Sequence, residues 1–80
     1  MSIFKRTATF GKGFKKTGVE NEYSIRIYTN DRVADAATER VNQEADRFLE
    51  ESNFSGYEIV NTRRILFPFS CFEFTLKFRS

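Results

Sequence analysis

Eighty residues predict one small domain, and the composition argues against several kinds of site. The chain has no histidine and only one cysteine, Cys71, so it lacks a disulfide framework, the ligands of a zinc site and the Ser-His or Cys-His pairs of nucleophilic enzymes. The net charge of +2 is unevenly distributed: residues 1–18 carry five basic side chains and no acid, whereas the other 62 residues carry eight basic and eleven acidic side chains.

No stretch of the sequence approaches the roughly 18–20 apolar residues that cross a bilayer. The first ten residues lack the apolar run of a signal peptide. We therefore expect a cytoplasmic protein without a membrane partner, and the unpaired Cys71 agrees with a reducing compartment. We interpret this cysteine as a core or sheet-face residue.

The first 22 residues are predicted to form a basic arm. Ile3–Phe10 has the alternation of a strand, and residues 11–22, with three glycines and three lysines, are typical of a loop. The glycines do not make a phosphate-binding loop, because Val19 and Glu20 stand where that motif requires Lys and Ser or Thr. The arm fits either a solvated loop or a nucleic-acid contact, in which lysines neutralise phosphates and an aromatic ring stacks on a base. The candidate residues are Lys12, Phe14, Lys15 and Lys16.

The middle of the chain predicts a strand followed by a helix. Tyr23–Thr29 alternates as a strand, with Tyr23, Ile25 and Ile27 on one face. Residues 32–52 have the three- and four-residue spacing of an amphipathic helix. We expect Asn30 or Asp31 to cap its start, and Asn53 and Gly56 to end it in positive-φ conformations. Its predicted apolar stripe is Val33, Ala37, Val41, Ala45, Phe48 and Leu49.

Two strands are predicted after the helix. Tyr57–Leu66 is rich in strand-forming residues but alternates imperfectly, which a bulge or a change of face would explain. Cys71–Arg79 alternates strictly, with Phe72 and its i+2 neighbours on one face. Pro68 cannot donate to a sheet, so the chain is expected to turn at residues 67–70 and form a hairpin.

These elements predict an α+β fold of order (β)βαββ. The expected architecture is a three- or four-stranded, mostly antiparallel sheet with the helix packed across one face. Residues 1–80 are taken as a single domain, divided into the arm at 1–22 and a βαββ core at 23–80.

The predicted turn also supplies candidate binding residues. Phe67 and Phe69 flank Pro68, and they either form an exposed contact surface or fold back over the small core. Arg63 and Arg64 lie nearby and would give such a surface a polar rim that prefers anions. The carboxylate pairs of the helix, such as Asp35 and Glu39, are interpreted as its solvated face, so no catalytic set is predicted.

The sequence Gly-Tyr-Glu-Ile-Val at residues 56–60, followed by an aromatic strand ending in Phe78 and Arg79, resembles a family of small bacterial and phage domains of unknown function. In that family a helix precedes Gly-Trp-Glu-Leu-Val, a loop and a final aromatic strand with a basic end. The resemblance covers residues 33–79, with Tyr57 in place of the usual tryptophan. It implies a fold, and its phage members imply a further option, a protein that inhibits a host machine.

Residues 57–63 (Tyr-Glu-Ile-Val-Asn-Thr-Arg) and 72–77 (Phe-Glu-Phe-Thr-Leu-Lys) are similar to the two C-terminal strands of dodecins. Dodecins are small βαββ proteins that assemble as dodecamers and bind flavin. The resemblance implies assembly more than flavin binding, because Gly56 and Glu73 replace the tryptophan and glutamine that contact flavin in that family.

From these observations we expect a small non-enzymatic module that self-associates and binds a macromolecular partner, with a protein favoured. Nucleic-acid binding through the basic arm is an alternative, and a dodecin-like oligomer that binds flavin or another small ligand is a further one. No other cofactor and no metal are expected.

Overall fold

The computed structural model describes residues 13–80, which form one helix and a four-stranded antiparallel sheet. The strands have the order β1-β2-β4-β3, so β4 lies inside the sheet and β3 lies at one edge of the described part. This confirms the predicted α+β class and the βαββ order, while the predicted strand Ile3–Phe10 and the candidate Lys12 lie outside the described residues. The elements are β1 (Lys15–Lys16), β2 (Glu22–Tyr28), α1 (Asp35–Glu50), β3 (Gly56–Ile65) and β4 (Cys71–Arg79).

The alternation of β4 determines where the core forms. Its phenylalanine face packs against α1, where Phe74 and Leu76 are completely buried. Phe78 lies among rings of the helix and of both neighbouring strands, with its centroid 4.6 Å from that of Phe48. Apolar side chains on one sheet face and one helix stripe therefore exclude water from a single cluster. Its buried members are Phe14, Ile25, Ala37, Val41, Ala45, Phe48, Phe72, Phe74, Leu76 and Phe78.

The helix is shorter than predicted at both ends. It begins at Asp35, three residues after the predicted start. Before it, the Thr29 hydroxyl accepts the Asp31 N–H in a local turn. Neither Asn30 nor Asp31 is the cap. Ala34 occupies that position without a side-chain hydrogen bond, and its carbonyl accepts the Thr38 N–H at 2.7 Å.

Val33 and the predicted helix exit are further corrections. Val33 precedes the first helical turn and is exposed, so it does not belong to the buried stripe. The helix ends at Glu50 with backbone bonds of the i to i−3 type. Asn53 and Gly56 do not have positive φ, and Gly56 is the first residue of β3.

The N-terminal part of the sheet corrects the predicted loop at residues 11–22. Lys15 and Lys16 form β1 and pair with Ser24 and Tyr23 of β2. Phe14 is only 8% exposed, with its ring centroid 5.1 Å from that of Phe48. The core therefore extends into the predicted basic arm, because one aromatic ring in it has apolar neighbours to bury against.

The predicted irregularity in β3 is a bulge. The register of β3 against β4 shifts between Ile59 and Asn61, so Val60 is the extra residue. Beyond the bulge the hairpin continues to Ile65 and Cys71, and the turn contains a cis Phe67–Pro68 peptide bond. The predicted bounds differ from those observed by one residue for β2 and β3 and agree for β4.

Candidate functional site

The face of the sheet opposite α1, here called the open face, carries the polar positions of all four strands. No described helix or strand packs on it. At its centre the Glu73 carboxylate accepts hydrogen bonds from Nε of Arg26 at 3.1 Å and from Nε of Arg63 at 2.9 Å. The three residues face each other directly across β2, β4 and β3, and we call them the arginine clamp.

The arginine clamp controls the ionisation of Glu73, whose side chain is 17% exposed. Burial opposes ionisation, but the hydrogen bonds and charges of Arg26 and Arg63 outweigh it and lower the pKa of Glu73. A side-chain hydrogen bond with Tyr28, followed by the contact with Glu73, raises the pKa of Arg26. Two arginines against one carboxylate leave this part of the surface with an excess positive charge.

A shallow depression of about 240 Å³ lies beside the clamp. Lys15 enters it from β1, and Ser24, Arg26 and Tyr28 line it from β2. Tyr28 is largely exposed. Glu73 also lines the depression, which therefore combines two cationic groups and one carboxylate with hydroxyl groups and one accessible aromatic ring.

Exposed apolar side chains gather at the end of the sheet where β2 and β3 finish and β4 begins. Phe67 is 84% exposed and Phe69 is 70% exposed, so both side chains are exposed at the surface and do not fold back over the core. Five of the seven large exposed apolar side chains in the described residues lie in or beside this end. We call this set the apolar end, and its members are Tyr28, Val33, Leu66, Phe67 and Phe69.

The structure separates the two arginines that were predicted to form one rim. Arg63 lies opposite Glu73 on the open face, whereas Arg64 lies opposite Phe72 on the face of α1. The guanidinium carbon of Arg64 is 5.3 Å from the centroid of the Phe72 ring, a cation–π contact. One arginine therefore stands on each side of β3 next to the apolar end.

The remaining predicted site residues are distributed differently from the expectation. Lys15 and Lys16 are exposed, and their alternation places Lys15 alone on the open face. Phe14 is unavailable for stacking because it belongs to the core. The helix carboxylates Asp35 and Glu39 are exposed, as predicted for a solvated face.

The arginine clamp is the feature that sequence reasoning missed. Arg26, Arg63 and Glu73 occupy polar positions of three predicted strands, so each was assignable to a solvated face. Their meeting depends on the strand order, in which β4 separates β2 from β3, and on the bulge that sets the β3 register. The only sign of the clamp in the sequence is the presence of opposite charges at polar positions of the predicted strands.

Within residues 13–80, no group of three or more His, Cys, Asp or Glu side chains is arranged to hold a metal ion. No helix in this part of the chain has the length and apolar character needed to cross a membrane. Cys71 is a buried free thiol.

Comparison with protein-family models, curated proteins and solved structures finds no match for this chain. The two resemblances drawn from sequence therefore stay predictions. Of the two positions that bear on flavin binding, Glu73 is engaged by the arginine clamp, and a Cβ at Gly56 would approach the Arg79 guanidinium to 2.8 Å.

Proposed function

We propose that this chain is a binding module that self-associates and docks a protein partner at the apolar end. The observation that carries the proposal is the concentration of exposed apolar side chains there, in a protein that has enough apolar residues to fill a separate core. Contiguous exposed apolar surface is characteristic of sites of protein interaction. Phe67 and Phe69 are the most exposed of the large apolar side chains in the described residues and are the expected anchors.

The size of the anchors is sufficient for specific binding. A phenylalanine side chain buries on the order of 150–250 Å². At about 25 cal/mol per Å², covering the exposed part of both rings corresponds to several kcal/mol before the costs of association are subtracted. Truncating one such anchor at a protein interface commonly costs about 2 kcal/mol or more.

The charges around the apolar end favour a particular class of partner. Arg64 lies on one side of β3, and the clamp on the other side has one more arginine than carboxylates. Cations at the rim of an interface steer oppositely charged partners and discriminate against similar ones. We expect the docked segment to have apolar or aromatic residues flanked by aspartate or glutamate.

Selection of peptides from a random displayed library tests this docking surface. Peptides selected on the wild type are expected to carry an acid-flanked apolar core and to lose binding to the F67S/F69S double variant. A V19S variant is the control, because it removes an exposed apolar side chain from the connection between β1 and β2, away from the apolar end. Peptides that bind the F67S/F69S variant as well as the wild type would count against the proposal.

Self-association is tested separately by light scattering of the purified protein at about 100 µM. The proposal expects a mass above that of the 9.4 kDa chain, and a monomer at that concentration would contradict it. Because the peptide selection needs no second copy of the chain, docking at the apolar end and self-association are tested independently.

A second candidate function, nucleic-acid binding, is favoured by the open face. Lys15, Arg26 and Arg63 place positive charge on one flat surface, and Tyr28 offers a ring for stacking. Fluorescence anisotropy with a single-stranded oligonucleotide would then show affinity that falls steeply with salt. Each phosphate contact removed, for example by Lys15→Ala, should lower the salt slope by about 0.7. Affinity that is indifferent to salt would reject this candidate.

A further inference from the structure

The edge strand β3 has unpaired backbone groups in a defined pattern. The Phe78 N–H donates to the Asn21 carbonyl at 2.8 Å, towards β2. Since alternate residues of an antiparallel strand bond alternate neighbours, the residues of β4 that face α1 bond to β2, and its open-face residues bond to β3. The register then directs four residues of β3 outward with free N–H and C=O groups within the described sheet: Tyr57, Ile59, Thr62 and Arg64.

The bulge makes this strand symmetric about its centre. From Gly56 to Ile59, side chains alternate between the open face and the face of α1, beginning on the open face. From Asn61 to Ile65 they alternate again and end on the open face. Val60, the extra residue, is exposed beside Asn61. With Val60 left out as the extra residue, the strand therefore presents the same order of faces when read from either end.

From this symmetry we infer that two copies of the chain pair along β3, antiparallel, about a two-fold axis between Val60 and Asn61. This arrangement specifies the self-association in the proposed function and rests on it. It places Gly56 opposite Ile65 of the second copy, and Val60 opposite Asn61 of the second copy. Outside the bulge every residue then faces the same side as its partner, and the four outward-directed residues meet only one another. The dimer then has one continuous sheet of eight strands, four from the described part of each copy.

The charges agree with this register. Glu58 would lie opposite Arg63 of the second copy on the open face, and Tyr57 opposite Arg64 of the second copy on the other face. Each pair occurs twice because of the symmetry, and opposite charges or aromatic–cation pairs directly across strands are stabilising. Within the chain Arg63 uses Nε for Glu73, while Glu58 is mostly exposed and has only a 3.6 Å contact with Arg79.

Other registers do not give the same match. A shift by one or two residues places open-face side chains opposite side chains of the α1 face around the bulge, and it removes the pairing of Glu58 with Arg63. Bulges and charged residues usually protect a sheet edge from pairing. Here the bulge and the charges protect the edge against arbitrary strands while matching a second copy of the same strand.

A proline substitution at the edge tests the pairing. Thr62→Pro removes an N–H that bonds nothing within the described sheet, so the fold should persist, as circular dichroism can verify. In the symmetric dimer it removes two hydrogen bonds, and dimer dissociation should become roughly 30-fold easier by sedimentation equilibrium. Thr62→Val keeps the N–H and is the matched control, expected to dimerise like the wild type.

Cysteine cross-linking tests the register without a proline. Glu58→Cys and Arg63→Cys are made in separate chains, which should form a disulfide-linked dimer when mixed, because non-hydrogen-bonded pairs bring Cβ atoms close enough for a disulfide. A mixture of Glu58→Cys and Asn61→Cys should cross-link far less. The wild type alone reports any contribution from Cys71, which is buried.

The outcomes separate this inference from the proposed function. A dimer lost in Thr62→Pro and kept in Thr62→Val, with cross-links only in the predicted mixture, supports pairing along β3. A dimer that survives Thr62→Pro, or equal cross-linking in both mixtures, overturns the pairing and leaves self-association standing. If the wild type is a monomer at about 100 µM, the pairing along β3 and the proposed self-association are both overturned. If Thr62→Pro does not fold, the cross-linking decides.

Discussion

Replacing Glu73 by glutamine should destabilise the fold measurably and in a pH-dependent way. Glutamine has nearly the same size, so the substitution removes charge without creating a cavity. Its carbonyl oxygen replaces one acceptor, but its amide nitrogen is a donor that faces the second guanidinium. In the variant, the side chain at position 73 therefore offers an acceptor to only one of the two arginines of the clamp.

The expected loss follows from the exposure of the three side chains. Hydrogen bonds to a charged group contribute about 1.5–3 kcal/mol when sequestered, whereas fully exposed ion pairs contribute about 0.2–1 kcal/mol. Glu73 is 17% exposed, but the arginine side chains are 47% and 61% exposed, so solvent screens both contacts. We expect E73Q to cost about 1–2 kcal/mol at neutral pH, or about 10 °C in Tm for a domain of this size.

The pH dependence has a defined sign. The folded pKa of Glu73 is lowered, against burial, by hydrogen bonds from Arg26 and Arg63, so the unfolded chain binds the proton more tightly. The stability that Glu73 provides is thus fully present above the ordinary value of 4.5 and is lost as the pH falls through the lower folded value. Urea unfolding of both proteins from pH 7 to pH 3 should show the difference shrinking in acid.

The matched control for this experiment is Glu58→Gln. Glu58 is 65% exposed, and its 3.6 Å contact with Arg79 is long and solvated. Its substitution should cost less than about 0.5 kcal/mol in the free chain at any pH, when unfolding is measured under conditions that keep the protein monomeric. The reasoning is refuted if E73Q is as stable as the wild type at pH 7, or if its deficit stays constant into acid.

Three further predictions concern stability and ionisation. Phe14→Ala should cost about 3 kcal/mol in urea unfolding, because the ring is buried against the core, and a loss below about 1 kcal/mol would return Phe14 to a solvated arm. Tyr57→Phe should cost about 1 kcal/mol of unfolding free energy, because it removes the 2.8 Å hydrogen bond that the Tyr57 hydroxyl donates to Asn42 of α1. Burial, followed by the charge of Asp46, raises the pKa of the Tyr57 phenol, so one tyrosine of the wild type should titrate at higher pH than the others by ultraviolet absorbance. Phe67→Ser and Phe69→Ser should each change Tm by no more than a few degrees, and a large loss would show that these rings support the core instead of a partner.

Strict patterns in the sequence predicted most of the fold. The alternation of β4 gave its bounds and its buried face, and the proline placed the turn of the hairpin. The helix was placed by its apolar stripe, but its start was not, because the cap residue is Ala34, which has no side-chain acceptor that would mark a cap in the sequence. Phe14 was missed because a two-residue strand has no period to detect.

The candidate site was predictable only where it depends on local sequence. Phe67 and Phe69 were identified from their place beside Pro68, and their exposure follows from the turn. The arginine clamp and the symmetry of β3 depend on register, which is determined jointly by the strand order and by the bulge at Val60. A single sequence shows the opposite charges of the clamp residues but does not show which distant residues pair.

Calorimetric titration of the best selected peptide is the measurement that bears most directly on the proposed docking at the apolar end. The peptide is titrated into the wild type, the F67S/F69S variant and the V19S control. We predict a Kd for F67S/F69S at least about 100-fold weaker than that of the wild type, and an unchanged Kd for V19S. Equal affinities for all three proteins would contradict the account, because the two rings most exposed to solvent would then contribute nothing to binding.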